Sequence, residues 1–132
     1  MRALIAEDDY ISRRIVKEIL SAYGTCDVAA DGEEAVQAFC QALAEEKPYD
    51  LVCMDIMMPR LDGQSALKKI RATERELGVA AAQEVKVIMT TALDDPKNVV
   101  DAYYRGGATA FLVKPITRHK LLQEVHGLGL LG

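Results

Sequence analysis

Four groups of side chains in this sequence could do chemistry: Glu7-Asp8-Asp9, Asp55, Thr90-Thr91 and Lys114-Pro115. Each follows a short apolar or β-branched run. Together they offer carboxylates, one or two hydroxyls and an ammonium. Carboxylates crowded into one place repel one another, so a stable cluster needs a cation or a proton to relieve it. Hard oxygen ligands with room for water suit Mg2+. The hydroxyl and the ammonium then stand ready for a tetrahedral oxyanion bound at the metal. Taken singly, each residue has a plainer use. Asp9 serves equally as a helix N-cap, Thr91 as a buried hydroxyl satisfied locally, Lys114 as a solvated lysine and Asp55 as a cap for the next turn. Only the joint arrangement argues for chemistry.

The elements that would position these groups alternate along the chain. Apolar runs of four or five residues occur at Ala3–Ala6, Cys26–Ala30, Leu51–Met54, Val85–Met89 and Ala110–Val113. They lack clean polar alternation, as strands buried on both faces do, which suggests a parallel sheet covered by helices. Between them run stripes with helical spacing. The first is Ile11, Ile15, Ile19 and Leu20, and the second is Ala35, Val36, Phe39, Cys40 and Leu43. Leu67, Ile70 and Leu77 follow, then Val99, Ala102 and Tyr103, and last Leu121, Leu122 and Val125. The order βαβαβαβαβα predicts an α/β, doubly wound fold with five strands and five helices. In such sheets ligands gather outside the carboxyl ends of the strands. The first strand ends in Glu7-Asp8-Asp9, the third in Asp55, the fourth in Thr90-Thr91 and the fifth in Lys114-Pro115, so the reactive groups converge on one edge. Asp31-Gly32, after the second strand, looks like a turn.

A length of 132 residues fits one domain over 1–132 with no output domain, and it is enough chain to bury a core without staples. The net charge of -4 offers no general attraction for nucleic acid. Charge arrives at once in MRALIAEDD, so no cleavable leader is expected. No run approaches the roughly 20 apolar residues that span a bilayer, so no membrane is expected either. Cys26, Cys40 and Cys53 show no C-x-x-C spacing and read as small buried thiols in a reducing cytoplasm.

The run Asp55-Ile56-Met57-Met58-Pro59-Arg60-Leu61-Asp62-Gly63 resembles the D-x-x-M-P-x-x-D-G signature of response regulator receiver domains. Glu7-Asp8, Thr91-Ala92 and Phe111-Leu112-Val113-Lys114-Pro115 match the family's other fixed points in order and separation. The resemblance covers essentially the whole chain. It implies a flavodoxin-like sheet with strand order 2-1-3-4-5 and a phospho-accepting role for Asp55. It also implies a Mg2+ site from Asp8 directly, Glu7 through water, Asp55 and the backbone carbonyl of Met57. Thr91 resembles the hydroxyl that bonds the phosphoryl oxygen, Lys114 the cation that pairs with it, and Phe111 the aromatic switch residue. Pro115 is held in a cis bond in relatives. The implied donor is a histidine kinase or histidine phosphotransfer protein. An unknown downstream protein would be met by the face made of the fourth helix, fifth strand and fifth helix.

Two other readings have sequence tests. An aspartate-nucleophile phosphatase places a second Asp two residues after the first, and here that residue is Met57. A degenerate receiver, binding partners without phosphorylation, predicts gaps among the acidic, hydroxyl or lysine positions, and none is seen. The chain is thus expected to catalyse only its own phosphorylation and dephosphorylation. No G-x-x-x-x-G-K-[ST] phosphate loop occurs, and His119 and His126 read as solvated or half-buried side chains on the last helix.

Overall fold

The five apolar runs become five strands, each within two residues of its expected limits. They are β1 (Arg2–Ala6), β2 (Thr25–Ala29), β3 (Leu51–Asp55), β4 (Lys86–Thr91) and β5 (Ala110–Val113). The computed structural model describes residues 1–91 and 107–131. Among these residues four α-helices occur: α1 (Tyr10–Ser21), α2 (Gly32–Ala44), α3 (Gly63–Glu76) and α4 (Arg118–Gly127). The expected helical stripe at Val99, Ala102 and Tyr103 lies outside the described residues. All strand pairs are parallel, and the order in the sheet is β2-β1-β3-β4-β5. From β1 the chain steps outward to β2, then crosses back to β3 on the other side of β1. Connections leaving β1 and β3 therefore diverge to opposite sides and open a crevice at those two carboxyl ends.

Side chains alternate across the sheet and supply two cores. On one face Leu4, Ala6, Val52, Met54, Val87 and Met89 meet Ala35 and Phe39 of α2 and Leu67 and Ile70 of α3. On the other, Ala3, Ile5, Leu51, Cys53 and Ile88 meet Val16, Ile19 and Leu20 of α1 and Leu121 and Val125 of α4. Every residue of β3 is buried. The expectation of burial on both faces fails for β5, an edge strand where Val113 is exposed and Phe111 half-buried, and more fully for β2, where Thr25, Asp27 and Val28 are exposed. β2 is the other edge, and Asp27 within it was the polar signal of that position.

The α1 stripe also needs correction. Its buried residues are Val16, Ile19 and Leu20, whereas Ile11 and Ile15 are 67% and 42% exposed. Residues 11 and 15 lie at the flank of the buried arc, where the helix turns toward solvent. Leu77, expected to face the core, is 63% exposed as the C-cap of α3.

Four helix starts lie at the carboxyl edge of the sheet, each with a side-chain cap. Asp9, Asp31, Asp62 and Thr117 accept from the backbone N–H groups of Ser12, Glu34, Ser65 and Lys120 respectively. Each such cap is worth about 1 kcal/mol and fixes where its helix begins. Asp31 therefore opens α2 rather than forming an isolated turn.

Candidate functional site

Backbone pairing delivers the reactive groups to the crevice. The Glu7 N–H continues the β1–β2 ladder by donating to the Ala29 carbonyl at 3.0 Å. Asp55 is the last residue of β3, in register with Thr90, and the Ile56 N–H donates to the Thr90 carbonyl at 3.0 Å. The Lys114 N–H donates to the Thr91 carbonyl at 2.8 Å, fixing the lysine against the end of β4. The Lys114–Pro115 bond is cis. Gly63 opens α3 so close to the strand end that a β-carbon there would lie 2.2 Å from the Asp55 carbonyl oxygen. No larger residue fits without displacing backbone.

Lys114 is the hub of the side-chain geometry. Its Nζ donates to Glu7 Oε1 at 3.0 Å and to Asp55 Oδ2 at 3.1 Å. Glu7 and Asp55 are 4% and 5% exposed, while Asp8 is open to solvent. One carboxylate oxygen from each of Glu7, Asp8 and Asp55 lies within 4.8 Å of the others. With all three carboxylates ionised, one ammonium leaves two negative charges uncompensated. Burial and the neighbouring Asp55 charge push the Glu7 carboxyl up to about 7, against the opposing pull of Lys114. Burial disfavours the Lys114 ammonium, yet its bonds to Glu7 and Asp55 and their charges hold it above its ordinary value. The donor set is all oxygen, carries a two-charge surplus and has one member facing water. It fits a hard divalent cation that keeps part of its hydration shell.

The other expected residues lie where the strands put them. Thr90 and Thr91 are buried at the end of β4. Phe111 is half-buried on β5, paired with Met89 of β4, and packs against the core cluster on that face of the sheet. The Met57 side chain is 64% exposed, and its N–H donates to Asp55 Oδ1 at 3.3 Å. Asp9 caps α1, one of the two uses open to it from sequence. Its carboxyl sits below the usual range because the Ser12 hydroxyl and N–H bond it. Cys53 is buried, and burial pushes its thiol up to about 12. Cys26 and Cys40 are only half-buried, which corrects the expectation for them. His119 and His126 are exposed.

Among the ion pairs of the described residues that sequence did not anticipate, two have a buried carboxylate. Buried Asp31 accepts from Arg60 Nε at 2.7 Å. Its carboxyl is held below the ordinary range by the Glu34 N–H first and by Arg60 next, against the cost of burial. Arg71 and Glu74, both buried on α3, pair at 2.7 Å. Arg71 also donates to the carbonyls of Val85 and Gly107. The spacing of Arg71 and Glu74 was a visible signal for the second pair. Only the loop geometry reveals the first.

In a doubly wound parallel sheet ligands bind at the switch point, and here that place holds an acidic cluster and an ammonium. The family model of the response regulator receiver domain matches residues 3–126, and the chain belongs to that family, whose business is two-component, phosphorelay signalling. The chain is 38% identical over 124 residues to the rice two-component response regulator ORR41, covering 92% of this chain and 88% of that one. It is 34% identical over 125 residues to the Bacillus subtilis chemotaxis protein CheY, covering 95% and 94%. Among solved structures it resembles the receiver domain of the Saccharomyces cerevisiae response regulator Ssk1, crystallised with the histidine phosphotransfer signalling protein Ypd1. The TM-score is 0.83 at 27% identity, with 98% of this chain and 88% of that one covered. It also matches a probable rice histidine kinase at 32% identity but spans only 13% of that protein's length. Among the described residues no helix is long and apolar enough to cross a membrane.

Proposed function

We propose that the chain, acting as one receiver unit over 1–132, accepts a phosphoryl group on Asp55 and thereby changes a surface read by another protein. The observation that carries this reading is the Lys114 ammonium at 3.0 Å from Glu7 and 3.1 Å from Asp55, beside Asp8 and at the end of the threonine-bearing strand. Asp8, Glu7 through water, Asp55 and the Met57 carbonyl would hold Mg2+. Bound there, the cation supplies charge neutralisation for the phosphoryl oxygens.

The remaining roles fall to the chain's own groups. An Asp55 carboxylate oxygen attacks the phosphorus of a donor phosphohistidine. The new O–P bond forms as the P–N bond breaks, and the imidazole nitrogen keeps the electron pair. The transition state of such transfers is loose, with charge spread over three oxygens, so placement and charge neutralisation do most of the work. Lys114 transfers one of its bonds from Asp55 to a phosphoryl oxygen, and the Thr91 hydroxyl donates to another. The aspartyl phosphate is an acyl phosphate that water hydrolyses, which ends the signal. The chain then catalyses only its own phosphorylation and dephosphorylation.

The donor is a histidine kinase or histidine phosphotransfer protein, a reading supported by the similarity to a receiver crystallised with such a protein. Phe111 is the switch residue, and the downstream partner reads β5 and α4 together with the helical stripe at Val99, Ala102 and Tyr103. The composition and the lack of a spanning helix among the described residues suit the cytoplasm. Intact mass after incubation with Mg2+ and a small phosphodonor tests the centre of the proposal. The wild type gains one phosphoryl group and Asp55→Asn gains none, and equal labelling of both chains sinks the assignment.

A further inference from the structure

The loop between β3 and α3 carries the Met57 carbonyl, and its far end is fastened to α2 by contacts that the phosphoryl chemistry does not use. Arg60 Nε reaches across to Asp31 Oδ2 at 2.7 Å, from a side chain 62% exposed to one 1% exposed. The other oxygen of Asp31 caps α2 by accepting from the Glu34 N–H at 2.9 Å, so the carboxylate cannot move without disturbing that helix start. Next to it, a β-carbon on Gly32 would lie 2.0 Å from the Leu61 carbonyl oxygen, so the loop backbone rests directly on the first turn of α2. Arg60 itself has φ +64°, a left-handed conformation that a long side chain adopts at a cost and that its surroundings must hold. At the near end, the Ile56 N–H is bound to Thr90 and the Ile56 carbonyl accepts from the Gly63 N–H at 2.8 Å. The intervening stretch has no regular secondary structure.

We propose that the Asp31–Arg60 ion pair is a clasp that keeps this loop, and with it the Met57 carbonyl, in the shape a divalent cation requires. Arg60 is then a positioning residue for cation binding. The inference rests on the reading of Glu7, Asp8, Asp55 and the Met57 carbonyl as a Mg2+ site. With the clasp, the carbonyl is already placed. Without it, the cation has to order the loop as it binds, and the entropy of that ordering weakens the complex.

Coulomb's law and the clasp predict opposite signs for one substitution. Arg60→Ala removes a positive charge from the neighbourhood of the site, which by charge alone tightens Mg2+ binding. Loss of the clasp weakens it, by about five- to tenfold, the order of fixing one residue's backbone. The experiment is calorimetric titration of Mg2+ into the unphosphorylated protein, with melting in the absence of Mg2+ as the check on the fold. Arg60→Ala is expected to bind more weakly, and Arg60→Lys to fall between it and the wild type. Asp31→Asn keeps an N-cap of comparable quality while losing the charge that Arg60 needs, and is expected to weaken binding as Arg60→Ala does. Adding it to Arg60→Ala should cause little further loss, because the two act through one contact. If the wild type binds Mg2+ and Arg60→Ala binds it as tightly or more tightly, the clasp is wrong and the cation site stands. If the two substitutions weaken binding additively, each acts alone and the clasp is again wrong. A wild type that binds no Mg2+ overturns the cation site and the clasp with it.

Discussion

Glu7 is expected to give the protein a stability that falls as pH rises, in the absence of a divalent cation. Burial and the Asp55 charge raise its carboxyl from 4.5 to about 7 in the folded chain. Between those values the folded state holds a proton that the unfolded state has released. The unfolded state therefore binds fewer protons, and stability declines with pH across the window from about 4.5 to about 7, then levels off. Each pKa unit corresponds to about 1.4 kcal/mol, so the loss is on the order of 3 kcal/mol. Glu7 is 4% exposed but lies beside the open Asp8, so screening by water makes this figure an upper bound. The perturbation is Glu7→Gln, whose amide oxygen can still accept from Lys114 and from the Asp9 N–H. Urea unfolding of both chains from about pH 4.5 to about pH 8 gives the difference profile, in which groups common to both chains largely cancel. The variant should gain on the wild type across the window, by up to about 3 kcal/mol, equivalent to at most roughly 10 °C in melting temperature for a chain of this size. Saturating Mg2+ should flatten the wild-type slope, since a bound cation favours the ionised carboxylate. Parallel profiles with and without Glu7 would show that its proton is not coupled to folding, and the surplus-charge account of the site would fall.

Further outcomes follow from neighbouring contacts. Asp55→Asn removes one of three mutually repelling charges and should raise the melting temperature without Mg2+, with the gain shrinking when Mg2+ is added; a wild-type melting temperature indifferent to Mg2+ counts against any metal site here. Gly63→Ala drives a β-carbon to within 2.2 Å of the Asp55 carbonyl oxygen and should cost at least about 2 kcal/mol in urea unfolding, whereas a near-neutral result means that α3 can slide. Arg71→Met leaves Glu74 as an unpaired buried charge and should cost about 3–5 kcal/mol by the same measurement; a loss under about 1 kcal/mol refutes the pair's place in the core. Thr91→Ala should leave Asp55 reactive but abolish the change in hydrogen exchange along β5 that beryllofluoride, a phosphoryl mimic, induces in the wild type; an equal change in both chains means the signal leaves the site by another route.

Much of the fold was legible in the sequence because the central strands are short and almost wholly apolar. Leu51–Met54 has the look of a strand buried on both faces, and β3 is one. Once the runs were strands, the strand-end rule placed Glu7, Asp55, Thr91 and Lys114 on one edge without reference to any motif. Where neighbours from distant segments decide burial, the sequence said less. Ile11 and Ile15 carry the same side chain as Ile19 but lie off the packed arc of α1. Cys26 sits in an apolar-looking run whose strand turned out to be an edge. The Asp31–Arg60 pair joins residues 29 positions apart through a loop whose path depends on two glycines admitting close backbone approach. Neither residue alone announces the other.

On the proposed reading, the same charge surplus would let one edge of this sheet respond to a proton, a divalent cation and a phosphoryl group. Two carboxylates are buried and bridged by Lys114, and the third faces water. A fully compensated cluster would bind none of the three, because each would have to displace a satisfied partner. A cluster without Lys114 would carry a still larger surplus and destabilise the strand ends that present it. The single ammonium leaves the fold tolerable when empty and, once all three carboxylates are ionised, still short of two positive charges. That shortfall would drive cation binding and, on the proposed reading, set the order of events. Until the surplus is neutralised, an anionic phosphodonor meets net negative charge. Cation binding should therefore precede phosphoryl transfer.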